Sequence, residues 1–273
     1  MKRDQSGVSE VVGAIMLVLI VVVAASSFAI FISQYQESAQ AQRLDDQKRA
    51  QEKIGVLSIV PEASPDGSEW VSLNFTIASL HKERSEITRI AINDRMVMKF
   101  DIYRVSPYTG NLEKLELSAL DQLYLASKEQ ISLHVDLDDP LSMNSPLTIS
   151  TSGYVKIDIS TAWSNEFSKT FAPPSSVATY SSGSWFNVVS GKYEYYATLN
   201  GRSSVAYDKA YIVSWEWSLE STNRSNSTMT EQVNLTGPVC RFDYPYDDGN
   251  YTVMLTVKDN FGMIGHSTIV FYN

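Results

Sequence analysis

The sequence predicts a mainly β protein that carries one long N-terminal hydrophobic helix and then two β-sandwich domains in tandem. Three observations support this. Val11 to Ile32 is an apolar run without a charge, and no second run of that kind follows. From Gly55 onward the apolar residues recur with period two, the strand signature. Pro173-Pro174-Ser175-Ser176 then divides the β region into two stretches, each near the size at which a sandwich builds its own core.

The first seven residues, MKRDQSG, form a short charged head and are far too few to fold. At 1.5 Å per residue, Val11 to Ile32 spans about 33 Å as a helix, which is enough to cross a bilayer core. Lys2 and Arg3 precede it, and the positive-inside bias keeps that end in the cytoplasm and the β region outside. The competing reading is a cleaved secretory signal. Its apolar core runs roughly 7–15 residues before a small-residue site. Ala24-Ala25-Ser26-Ser27 mimics such a site, but Phe28 to Ile32 continues the apolar run beyond it.

Ser33 to Lys53 has no Gly or Pro and is rich in Ala, Gln, Glu, Lys and Arg. It is expected to prolong the helix as a stalk, with Asp45 and Arg49 as an i,i+4 pair and Gly55 as the first natural stop. Trp70 to Ile77 alternates cleanly, with Val71, Leu73, Phe75 and Ile77 on one face. Ile87 to Ile92 and Val97 to Tyr103 flank Asn93-Asp94-Arg95-Met96 and read as a hairpin. Gln130 to Leu137 and Tyr154 to Ser160 add two further strands. No βαβ pattern is present.

In the last hundred residues, Val213, Trp215, Trp217 and Leu219 are expected on one strand face, and Tyr251, Val253, Leu255 and Val257 on that of a later strand. Asp247-x-Gly249-x-Tyr251 has the spacing of a tyrosine corner, with Trp217 as the central core aromatic. A polar loop is expected over Leu219 to Met229.

Two resemblances follow from these residues. Gly7-Val8-Ser9-Glu10-Val11-Val12-Gly13-Ala14-Ile15-Met16 resembles the N-terminal signature of archaeal type IV pilin-like proteins. The resemblance implies cutting by a prepilin-type peptidase between Gly7 and Val8, with the helix retained for self-assembly through residues 8–32. Glu10 departs from the bacterial pattern: it becomes third in the mature chain rather than fifth. Ile212 to Ser218, Phe242 to Tyr244 and Gly249 to Gly262 together resemble a polycystic-kidney-disease-type (PKD) domain, an immunoglobulin-like sandwich. The expected organisation is a leader at 1–7, helix and stalk at 8–54, one sandwich at 55–172, a linker at 173–176 and the PKD-like sandwich at 177–273.

Little points to chemistry. His81, His134 and His266 are scattered and lack metal-ligand spacing, and no catalytic motif occurs, so neither an enzyme nor a bound metal or cofactor is expected. Asp136, Asp138 and Asp139, and separately Asp247, Asp248 and Asp259, read as solvated acidic turns rather than calcium sites. The formal charge of −9 and the lack of a basic patch argue against nucleic-acid binding. Cys240, the one cysteine, cannot form an internal disulfide and is expected as a small buried thiol, with an intermolecular bridge as the alternative. Asn74, Asn223, Asn226, Asn234 and Asn250 each open an Asn-x-Ser/Thr sequon; four of them crowd into residues 223–250, which suits either a glycan-coated tip or a plain polar loop. Tyr180, Trp185 and Phe186 are aromatics that either contact a carbohydrate or complete a core. Three functions stay open: a filament subunit (bulk, or a minor or tip pilin) displaying adhesive β domains that contact surface glycans or proteins; a permanently membrane-anchored surface protein; and an accessory part of a rotary or secretion apparatus.

Overall fold

The computed structural model of the chain describes residues 6–105, 112–115, 123–143, 145–225, 230–245 and 249–272, with the backbone alone for 6–10 and 105. It falls into two compact units, Met1–Glu52 and Lys53–Asn273.

The first unit is one helix, α1 (Ser6–Gln51), unbroken through both the apolar and the polar segments. The polar segment is helical by composition; the Val- and Ile-rich run is helical because an apolar medium forces the backbone to satisfy its own hydrogen bonds. Lys48 and Arg49 sit in the last turn, where a cation favours the helix C-terminus. Gly55 is not the stop signal the sequence suggested. It lies within a strand, paired with Ala78, and an added Cβ would sit 3.1 Å from Leu80 Cδ1.

The second unit opens with β1 (Ile54–Ala63), β2 (Glu69–Ser79), β3 (Ser85–Ile92), β4 (Arg95–Met96), β5 (Asp101–Val105), β6 (Leu112–Leu115), β7 (Leu123–Leu125), β8 (Gln130–Asp136), a short α2 (Pro140–Met143), β9 (Ile149–Ser150), β10 (Val155–Thr161) and β11 (Glu166–Phe171). Among the described residues these make two antiparallel sheets. One has the order β1-β2-β8-β5-β6, with β9 also on β2; the other has the order β11-β10-β3-β4, with β7 also on β3. Leu73, Phe75 and Ile77 from the first sheet and Ile90, Ile92, Val155, Ile157 and Ile159 from the second enter one buried cluster. The hairpin at 93–96 is tighter than expected. Asn93 and Asp94 alone form the turn, both at positive φ, and only Arg95 and Met96 return along β3. The chain then leaves for the other sheet, where Asp101 to Arg104 pairs with β8.

The remainder comprises β12 (Thr179–Asn187), β13 (Lys192–Asn200), β14 (Ile212–Asn223), β15 (Thr230–Thr236), β16 (Val239–Asp243), β17 (Gly249–Asp259) and β18 (Ile264–Tyr272). Among the described residues, β12-β13-β16 forms one sheet and β15-β14-β17-β18 the other. Their shared cluster holds Ala197, Leu199, Trp217, Leu219, Tyr251, Val253, Leu255 and Phe271. Two expectations are corrected here. A bulge between Ile212 and Ser214 turns Val213 outward, leaving it 50% exposed, while Ile212 and Trp215 pack on the core. The polar loop is shorter than 219–229, because β14 continues to Asn223 along β15 and β17.

The two halves of this unit share side chains. The turn after β17 sends Met263 into the first cluster, and Phe261 meets Phe171 edge-on at 5.2 Å. Gly262 is needed there: its φ is +82°, and a Cβ would lie 3.1 Å from Pro61 Cδ.

Candidate functional site

Two of the surfaces that present apolar side chains to solvent are continuous along one element, one on each unit. The first is α1. From Val11 to Phe31 its large apolar side chains are about half to two-thirds exposed on every side of the helix. Val11, Ala14, Ile15, Val18, Leu19 and Val22 follow the i, i+3, i+4 rule and line one shallow groove. The hydroxyls within the run are satisfied internally: Ser26 donates to the Val22 carbonyl at 2.8 Å and Ser27 to that of Val23 at 2.9 Å. The segment therefore exposes no unpaired hydroxyl to an apolar medium. Beyond it, Tyr35 and Leu44 stand exposed among charged and amide side chains.

Gly7, Val8 and Glu10 all fall within the helical backbone of α1, in its first two turns. The first four amides of a helix have no intrahelical acceptor, so opening Ser6 to Val8 into extended chain breaks few hydrogen bonds.

The second surface is the β12–β13 hairpin. The ladder from β13 to β16 ends at Tyr196↔Asp243, whereas β12 and β13 stay paired out to Asn187↔Lys192. Among the described residues, the outer part is thus a two-stranded ribbon. Its inner side continues the core face, because Tyr180 lies opposite buried Leu199 and stacks on Phe271 at 4.2 Å. Further out the same side carries Phe186 and Tyr193, in edge contact at 5.3 Å, and Tyr195; these are 49%, 63% and 46% exposed. Trp185 faces the other way, opposite Glu194. On that side the Tyr196 ring covers Gly183, where a Cβ would meet it at 2.5 Å, and the Arg241 guanidinium lies 4.0 Å from its ring centre.

Of the aromatics singled out from the sequence, Tyr180 belongs to the core end, and Trp185 and Phe186 belong to the ribbon. Tyr193, Tyr195, Val188 and Val189 were missed. The signal was there in two aromatic stretches around Asn187-Val188-Val189-Ser190-Gly191, a hairpin pattern with Gly at its end.

The remaining candidates are placed as follows. Trp217 is buried and donates from Nε1 to the Gly237 carbonyl at 2.9 Å. Tyr251 is buried with its hydroxyl over Gly249, where a Cβ would come within 2.6 Å of it; Asp247, with Asp248, lies outside the described residues. Asn74 is half-buried with Oδ1 2.9 Å from His134 Nδ1, and His134 Nε2 is 3.1 Å from Asp136. Asn223 is half-buried and accepts from the Ser225 amide at 2.8 Å. Asn234 and Asn250 are exposed, and Asn226 lies outside the described residues.

Two of the acidic turns prove to be structural. Asp139 caps α2, accepting from the Leu141 amide and the Ser142 hydroxyl. Asp259 is buried and accepts from the amides of Phe261 and Met263, both at 2.9 Å. Burial pushes its carboxyl above the usual range, and these amide bonds oppose the shift. Cys240 is half-buried rather than fully buried. Its thiol donates to the Thr236 carbonyl at 3.0 Å, and burial raises its pKa.

Residues 6–44 match a family model described as the N-terminal region of archaeal type IV pilins. The match covers α1 from its first residue through the apolar run and part of the polar segment. No curated protein matches the chain.

Proposed function

We propose that this chain is a subunit of a type IV pilus-like filament, with α1 as the assembling element and the β unit as its outward display. The observation that carries this reading is the charge-free, exposed stretch of α1 from Val11 onward, inside the pilin N-terminal match and three residues after Gly7-Val8. In this reading a prepilin-type peptidase cuts between Gly7 and Val8, the N-terminal end is cytoplasmic, and the β unit lies outside. Identical helices then replace lipid around residues 8–32.

The last hundred residues act as a PKD-like adhesive module. Supporting this are buried Trp217 and the Gly249–Tyr251 contact, on the paired strands β14 and β17, whose sheet shares a buried cluster with β13 and β16. Two β cores on one chain suit a minor or tip subunit better than a bulk one. Asn234 and Asn250 are the sequons best placed for a glycan, since both side chains are exposed on strands.

A second reading, a permanently anchored surface protein, draws on the end of α1. Its charged and amide-rich turns are exposed and suit a solvated stalk.

Replacing Gly7 by Ile tests the first reading. The chain should then keep its leader and be missing from extracellular fibres sheared from the cells. Normal maturation of the variant, or absence of the wild-type chain from those fibres, contradicts it.

A further inference from the structure

The tip of the β12–β13 hairpin is built without using its two valines. Asn187 Oδ1 accepts from the amides of Val189 and Ser190, at 2.9 and 3.2 Å. The Asn187 carbonyl accepts from the Gly191 amide at 2.8 Å, and Gly191 supplies the positive φ of 65° that closes the loop. Asn187 Nδ2 also donates to Glu194 across the ladder at 2.5 Å. Polar residues and a glycine thus do all the turn chemistry. Val188 and Val189 occupy the two outermost positions, 83% and 97% exposed. Ser or Asn there would fold the turn as well, so folding does not explain two β-branched apolar side chains.

What lies behind the tip narrows the partner. Phe186, Tyr193 and Trp185 form the next layer, all at least 42% exposed. Further back, Ser181, Ser182 and Ser184 make a hydroxyl-rich shaft. No charged residue occurs from Thr170 to Gly191; Lys192 stands opposite Asn187, one step nearer the tip than the Phe186–Tyr193 pair, and Glu194, opposite Trp185, accepts from Asn187 Nδ2. An apolar point, then aromatic side chains, then hydroxyls is the order of polarity met on leaving a bilayer: hydrocarbon, interface, water. The shape agrees. A protein partner needs a broad patch of about 800 Å² on each side, whereas two valines on a narrow ribbon make a wedge.

We propose that the Val188-Val189 tip inserts into a lipid bilayer, with Trp185, Phe186 and Tyr193 at the interfacial level and the long Lys192 side chain extending back to the phosphates. A single tip binds weakly, and many tips on one array bind firmly. The proposal leans on the filament reading only for the outward placement of the β unit.

The test uses the full chain, held by α1 in phosphatidylcholine vesicles, mixed with protein-free phosphatidylcholine vesicles carrying a second dye. Wild type should tether the protein-free vesicles. The Val188→Ser/Val189→Ser double variant should lose about tenfold or more of that capture, with an unchanged melting temperature. A fluorophore sensitive to polarity on Val189→Cys, in a Cys240→Ser background, should shift to the blue when protein-free vesicles are added. Undiminished capture by the double variant, or no spectral shift, overturns the proposal. Clustering only among protein-bearing vesicles also overturns it, because the tip would then bind a second copy of the chain. Filament formation needs no second membrane, so failure here leaves the assembly reading standing.

Discussion

At the scale of single residues, the β unit depends on a few positions where one atom more or less decides the packing. A Cβ on Gly265 would sit 2.0 Å from the Pro174 carbonyl oxygen, so the segment joining the two halves rests directly on β18. Asp259 organises the turn that carries Phe261 and Met263, and its burial raises its pKa above 3.8. A raised carboxyl binds protons in the native state before the unfolded chain does. Between the unfolded and folded values, therefore, stability rises as pH falls. The wild-type advantage over Asp259→Asn should grow as pH is lowered from about 7 toward 4 in urea denaturation; a shrinking advantage contradicts the assignment. The sequence could not reveal this role. Asp259-Asn260-Phe261-Gly262 reads as an ordinary polar turn, and only the fold shows what its carboxylate holds. Trp217 and Tyr251, by contrast, were legible, because large aromatics in alternating apolar strands have nowhere else to go.

At the scale of elements, legibility followed burial. Strands that alternate between a dry face and a wetter one, such as β8, β10 and β17, announce themselves by that period. β12 does not, since nearly all its side chains are exposed and its pattern TYSSGSWFN has no dry face to mark. Short strands such as β4 and β9, two residues each, carry too few positions for any period. The β3–β4 turn shows what local chemistry adds. Asn93 takes positive φ, accepts from the Lys156 amide at 2.7 Å and donates to the Tyr154 carbonyl at 3.1 Å. Asn93→Ala loses both bonds and strains the backbone, and should cost about 2–3 kcal/mol. Asn93→Gly loses the bonds alone and should cost about 1 kcal/mol less, so equal melting temperatures for the two variants would contradict this division. The length of α1 was also readable, since no Gly or Pro interrupts Ala14 to Gln51.

At the scale of the whole molecule, the β unit joins two sheet pairs through a shared plug. Met263 is fully buried in a cluster whose other fully buried members all precede the linker. Met263→Ala should cost about 2–4 kcal/mol and lower the stability of both halves together. Two separate thermal transitions in the wild-type β unit would contradict that coupling. No local pattern could show this contact, because it joins the turn after β17 to residues 90 or more positions earlier, as the Phe171–Phe261 pair shows. The helix poses the opposite problem: its sequence is plain, and its large apolar side chains from Val11 to Phe31 stand exposed. In the proposed filament, exchanging lipid for identical helices moves little surface out of water, so close packing is what would favour assembly. All of this requires the apolar segment to be kept after export. The most direct measurement is the intact mass of the chain purified from sheared extracellular fibres. Val8 as the first residue is the expected result; a chain starting downstream of Phe28 would have lost the assembling segment and would contradict the proposed function.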